Sequence, residues 1–172
     1  MIIDAFRDRV IPLLNEDRKN KVNFIFGDSA YIREYLLALK SSSSTAPFRF
    51  PLIGLYTPIQ ENVNNGILSA SVNLIIAVNT LPSYTNEQRV DISFKEVLRP
   101  LYNNLIESIS NVRLFNVPYS GIFNHTYIEN LSFGKRGALD IDGKEIDEKI
   151  DAIEIKNLDL TLKNVNCNAN RL

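Results

Sequence analysis

The sequence has 172 residues, of which 45% are hydrophobic and 23% are charged, and this composition indicates an ordinary globular protein of about one domain. A formal net charge of −1 argues against a protein that grips nucleic acid or acidic membranes through bulk positive charge. One cysteine and one histidine exclude an internal disulfide framework, a multi-cysteine metal site and most zinc sites.

The chain is expected to open with an amphipathic helix. Apolar residues recur at helical spacing from Ile2 to Leu14, which predicts a helix over about residues 2–18. Pro12 removes the amide that would bond to the carbonyl of Asp8, so we expect a kink or an early end there.

A strand and a second helix follow. Val22 to Phe26 is rich in β-forming residues. Asp28 or Ser29 can then accept hydrogen bonds from the free amides of a helix that runs from Ser29 to about Lys40. The residues predicted to face inward are Ile32, Leu36 and Leu39. A serine-rich run then predicts a loop over 41–48.

Two strands are predicted next. Phe48 to Tyr56 reads as a strand whose mixed apolar run suggests cover on both faces. Leu68 to Val78 alternates apolar and polar residues, the clearest strand pattern in the chain. Asn65-Gly66 between them favours a tight turn, so these two strands are predicted to form a hairpin.

The strongest helix signal comes after these strands. Thr85 and Gln88 have capping-box spacing, and apolar residues then recur at helical spacing as far as Ile109. Pro100 should kink this helix near Glu96.

Three β-prone stretches complete the chain: Arg113 to Val117, Thr126 to Phe133 and Ile150 to Leu162. In the last of them the apolar phase shifts, which implies a β-bulge near Asn157. The element order predicts a single α+β domain over 1–172, with a mostly antiparallel sheet backed by helices on one face.

The sequence contains few candidate catalytic residues. His125 has no nucleophile and no orienting acid in its sequence pattern, so a loop or surface role is expected. Cys167 lies where no basic run would lower its pKa. In the acidic segment from Asp140 to Asp151 the glycine falls at position 4 instead of 6, so the calcium-loop spacing fails. Asp142-Gly143 instead predicts the turn of a solvated hairpin over about 138–150. We expect no catalytic residue, metal or cofactor.

Secretion and membrane insertion are not expected. The first nine residues carry both acidic and basic side chains, unlike the apolar core of a signal peptide. The longest apolar stretches, such as Leu74 to Val78, fall far short of the roughly 20 residues that span a bilayer.

Four stretches carry a family resemblance: Arg49 to Ile59, Leu68 to Val78, Asn86 to Arg89, and Val97 to Tyr102. Over roughly residues 45 to 165 the chain resembles the tail-completion or tail-terminator proteins of the tailed-bacteriophage neck. The resemblance implies a small α+β, tail-terminator-like subunit that is neither an enzyme nor a cofactor protein.

The resemblance also implies partners and a location. Such subunits form a homomeric ring between the portal-adaptor complex and the tail, and DNA passes through the lumen without specific recognition. The protein would assemble in the host cytoplasm and end in the neck of the virion. A neck ring of a short-tailed phage is an alternative. A net charge near neutrality suits a ring that must not hold DNA.

Two polar segments are expected to carry the contacts between subunits. The loop over 41–48 and the hairpin over 138–150 are longer than their connections require, and long loops are more often functional than idle. A head-to-tail contact needs two different surfaces, so each segment is assigned to one. The interface residues predicted on them are Ser43, Thr45, Phe48, Ile141, Asp142, Lys144 and Ile146.

Two functions of other classes remain open. One is a small cytoplasmic hydrolase whose site is built from scattered Asp, Glu, Lys and Tyr residues. The other is a monomeric module that binds a peptide or protein. The mass in solution separates both from a ring.

Overall fold

The computed structural model describes residues 1–38, 50–81, 83–133 and 149–163. Within these ranges the chain forms three helical stretches and six strands. The strands are β1 (Asn23–Gly27), β2 (Leu52–Tyr56), β3 (Glu61–Asn64), β4 (Ile67–Thr80), β5 (Thr126–Phe133) and β6 (Lys149–Leu162).

The N-terminal helix comprises Ile2–Ala5, a π-helical segment Phe6–Val10, and Ile11–Asn15. It ends at Asn15, short of the predicted residue 18, and it does not end at Pro12. The N–H of Ile11 bonds to the carbonyl of Phe6, five residues back. This wider turn relieves the crowding that a proline ring imposes on the preceding turn of an α-helix, so the helix continues through the proline.

The third helix uses the same arrangement. It comprises Asn86–Arg89, a π-helical segment Val90–Leu98, and Arg99–Asn111. The N–H of Arg99 bonds to the carbonyl of Phe94, so a wide turn stands before Pro100 where the sequence predicts a kink. The predicted capping box is confirmed, because Thr85 Oγ1 accepts from the Gln88 amide at 3.2 Å and Gln88 Oε1 accepts from the Thr85 amide at 2.9 Å.

The second helix, Ser29–Ala38, begins at the predicted cap. Asp28 Oδ1 accepts a hydrogen bond from the Tyr31 amide at 2.7 Å, and Ile32 is buried as expected. The predicted end near Lys40, the residue Leu39 and the side chain of Leu36 lie outside the part of the chain that is described.

The strands form one mixed, mostly antiparallel sheet in the order β1-β2-β4-β6-β5, with β3 also paired to β4. β1 and β2 are parallel, and the other pairs are antiparallel. The predicted α+β class is therefore confirmed. β4 lies between β2 and β6, and the third helix packs across it, as the two longest apolar periodicities predict.

Helices cover both faces of the sheet, so the prediction that they back one face is wrong. The N-terminal and third helices share a core with Leu74 and Ile76 of β4. The second helix packs on the opposite face, where Ile32 meets Leu52 and Ile75. The signal for this was present in the mixed apolar run of β2, since a strand that is buried on both faces lacks alternation.

Two strand assignments are corrected. Asn65 and Gly66 do form a two-residue turn with positive φ angles of 49° and 78°, but this turn joins β4 to β3, which the sequence analysis did not predict. β2 pairs with a later part of β4, from Leu74 to Ala77. The stretch Arg113 to Val117 is no strand and contributes one bridge, between Phe115 and Leu162.

The predicted bulge is confirmed. Asn157 has a φ angle of 53°, and its amide donates to Asn73 Oδ1 at 2.9 Å, at the point where the register between β4 and β6 shifts. An extra residue here lets apolar side chains face the helices both before and after it.

Candidate functional site

The predicted assembly residues lie outside the described part of the chain. These are Ser43, Thr45, Phe48, Ile141, Asp142, Lys144 and Ile146, and Cys167 lies outside it as well. The residues that flank both segments meet one end of the sheet, where Leu52 pairs with Ala77 and Phe133 pairs with Ile150. The described strand residue that follows the first segment and the described residues on either side of the second therefore lie at the same end of the sheet.

His125 lies in the loop just before β5, as the sequence predicts, but it contacts other polar groups that the sequence does not reveal. It is half-buried, and its Nε2 lies 2.6 Å from the hydroxyl of Tyr102 on the third helix. Its Nδ1 lies 2.8 Å from the carbonyl oxygen of Phe123. A carbonyl can only accept, so Nδ1 donates to Phe123, and in the neutral ring Nε2 is then the acceptor for the tyrosine hydroxyl.

Arg99 of the third helix and Tyr127 and Glu129 of β5 form a second set of polar contacts beside this pair. Arg99 Nε and Nη2 donate to the two carboxylate oxygens of Glu129 at 2.7 and 3.0 Å. The hydroxyl of Tyr127 donates to Glu129 Oε1 at 2.5 Å, and the ring of Tyr127 meets that of Tyr102 edge-on, with centroids 4.8 Å apart. The sequence shows no link among these residues because the third helix and β5 meet only in the fold.

The pKa values in this cluster follow from its contacts. The hydrogen bonds from Arg99 lower the pKa of Glu129, while burial, together with the neighbouring carboxylate, raises the pKa of Tyr127. Burial also raises the pKa of Tyr102. A tyrosine with a raised pKa is a poor nucleophile at neutral pH.

The cluster joins β5 to the third helix. The polar groups of Arg99, Tyr102, His125 and Tyr127 bond to partners within the protein. Such mutually paired groups fix the third helix in position against β5. We therefore interpret this cluster as structural.

The sequence predicts solvated charged arms for the acidic segment, and at its last residue, Asp151, this prediction is wrong. Asp151 is completely buried beside Arg89, with Arg89 Nε 3.2 Å from Asp151 Oδ2 and Nη2 bonded to Oδ1. The pair joins the first turn of the third helix to the start of β6. In the described ranges, no three His, Cys, Asp or Glu residues form a group that could hold a metal ion.

An apolar loop projects from the edge of the sheet beside β6. We call residues 116–122 the apolar loop, because Val117, Tyr119 and Ile122 are 41%, 108% and 69% exposed. Both ends are anchored, since the flanking Phe115 and Phe123 are buried. The Asn116 amide also donates to Thr161 and the Asp159 amide to Asn124. Because both of its ends are anchored, the apolar loop has a defined shape before any partner binds.

The opposite edge of the sheet carries a groove of about 670 Å³, here called the β1 groove. Three aromatic residues, Phe24, Phe26 and Tyr31, line it together with Ile3. Gly27 shapes its wall, because a Cβ atom at this position would lie 2.4 Å from Cδ1 of Tyr31. Among the described strands none pairs with the outer edge of β1. The remaining lining residues are Ile25, Asp28 and Thr57.

Comparison with models of known protein families found no match, and a search of curated proteins found no match either. In the portion of the chain that is described, no helix combines the length and apolar character needed to cross a membrane.

Proposed function

We propose that this chain is a structural subunit of the neck of a tailed bacteriophage, in which copies join head to tail into a ring between the portal complex and the tail. The observation that carries the proposal is the apolar loop. Its exposed Tyr119 and Ile122 stand on buried anchors. Exposed apolar side chains that cluster on a fixed loop favour a surface that binds protein.

The charge of the chain supports the same proposal. A ring that lets DNA pass should attract it only weakly, and a net charge of −1 gives little of the counterion release that makes basic channels bind DNA.

The polar cluster gives no support to the hydrolase alternative. Its tyrosines have raised pKa values, and its histidine is held between a tyrosine and a backbone carbonyl. The apolar loop would also suit a monomeric protein-binding module, so this alternative differs from the ring in its oligomeric state.

The mass in solution tests the proposal. Sedimentation and light scattering over a wide concentration range should show growth from the 19.5 kDa monomer to one closed oligomer. Electron microscopy should then show rings. A chain that stays monomeric at millimolar concentration contradicts the ring, and open filaments would contradict its closure.

A further inference from the structure

We infer that the apolar loop of one copy docks into the β1 groove of the next copy. The inference rests on the proposed function, because it names a contact of the head-to-tail ring in addition to the contact predicted for the segments over 41–48 and 138–150. The occupant of the β1 groove is therefore a second copy of this chain.

The apolar loop and the β1 groove have complementary shapes. Tyr119 lies in the middle of the apolar loop and is fully exposed, whereas the β1 groove is a depression lined by aromatic residues. Contacts between aromatic rings stabilise an interface by more than the burial of their apolar area alone. A tyrosine seated in a pocket is a frequent anchor of protein interfaces. Phe26 and Tyr31, at 42% and 51% exposure, leave apolar surface that such an anchor would cover.

Position is the second argument. The apolar loop lies beside the end of β6, and the groove lies beside β1, with β2 and β4 between them. Three inter-strand spacings separate the two edges by about 14 Å. The loop of one copy therefore cannot enter its own groove. Because the two surfaces differ and face opposite sides, their contact is heterologous and can repeat around an axis.

Charge is the third argument. Asp28 is the charged side chain among the described residues that line the groove. Arg113 and Lys163 flank the apolar loop on the chain segments that anchor it, and among the described residues neither has a salt-bridge partner. Docking would bring these cations towards the carboxylate, which favours this orientation.

Two substitutions with complementary defects test the pairing. Tyr119→Asp removes the anchor and keeps the groove, and Phe26→Asp disrupts the groove and keeps the anchor. We expect each variant alone to raise the apparent dissociation constant at least about 10-fold. An equimolar mixture should form a dimer that grows no further, because it contains one intact loop and one intact groove that can meet. Val63→Asp is the matched control, since Val63 is 66% exposed on the β3 hairpin, and it should assemble like the unmodified chain.

Folding is checked by circular dichroism and thermal melting. If Phe26→Asp fails to fold, Tyr31→Asp replaces it, because Tyr31 is exposed in the first turn of a helix, where an acidic residue is favourable. Assembly of the groove variant at the unmodified affinity, or a mixture that yields no dimer, overturns the inference while leaving the ring in place. An unmodified chain that never associates overturns the proposed function and the inference with it.

Discussion

Removing the carboxylate of Asp151 should destabilise the protein severely. The side chains of Arg89 and Asp151 are 2% and 0% exposed, so Asp151→Ala leaves a guanidinium inside the protein without this partner. A buried charge cannot recover the hydration that it lost on folding, and breaking such a pair costs about 3–5 kcal/mol.

The double variant Arg89→Met, Asp151→Leu provides the matched comparison. It removes both charges and keeps apolar volume in their place, and such replacements are often neutral or stabilising. We therefore expect the double variant to be more stable than Asp151→Ala by about 3 kcal/mol. A total stability of about 5–15 kcal/mol is typical of a domain, so the single substitution should remove a large share of it.

Urea denaturation followed by circular dichroism measures both effects. The free energy of unfolding should fall sharply for Asp151→Ala and recover in the double variant, with an unchanged dependence on urea concentration. A loss below about 1 kcal/mol for the single variant would mean that the pair is hydrated and that the argument from burial is wrong.

Three further outcomes are expected. Leu74→Ala and Leu101→Ala should each cost about 2–5 kcal/mol in urea denaturation, because both side chains are fully buried; less than about 1 kcal/mol at both sites would contradict the core assignment. Glu129 has a lowered pKa beside Arg99, so its stabilising effect is present above the ordinary glutamate pKa of about 4.3 and is lost as the pH falls through its folded value. The advantage of the unmodified chain over Glu129→Gln should therefore vanish in acid, and a difference that persists there would point to packing. Shortening the hairpin predicted over 138–150 to a two-residue turn should leave the melting temperature nearly unchanged and impair ring formation. Normal necks in electron micrographs of particles that carry the shortened chain would show that this hairpin is not part of the assembly surface.

Local features of the fold were predictable because their determinants lie close together in the sequence. The capping box depends on two residues three positions apart, Thr85 and Gln88, and the turn at Asn65-Gly66 depends on two adjacent residues. The bulge at Asn157 follows from a change of phase within one strand. In each case a hydrogen-bond requirement or a φ angle is set by neighbours in the chain.

Contacts between distant elements could not be predicted in this way. Nothing in one sequence pairs Tyr102 with His125 or buries Asp151 against Arg89, because each pair joins a helix to residues of a separate segment. The wide turns before Pro12 and Pro100 could be predicted only in part. The sequence shows both prolines, but it does not show that each helix widens its turn and continues through the proline.

The sequence by itself determined the α+β class, most element positions and the turn chemistry, since periodicity and caps are local properties. Only the tertiary structure decided that helices cover both faces of the sheet, and that an apolar loop and an aromatic groove stand at its opposite edges. The physical reason is that burial and exposure depend on which strands become neighbours, and that choice is made by the packing of the whole chain.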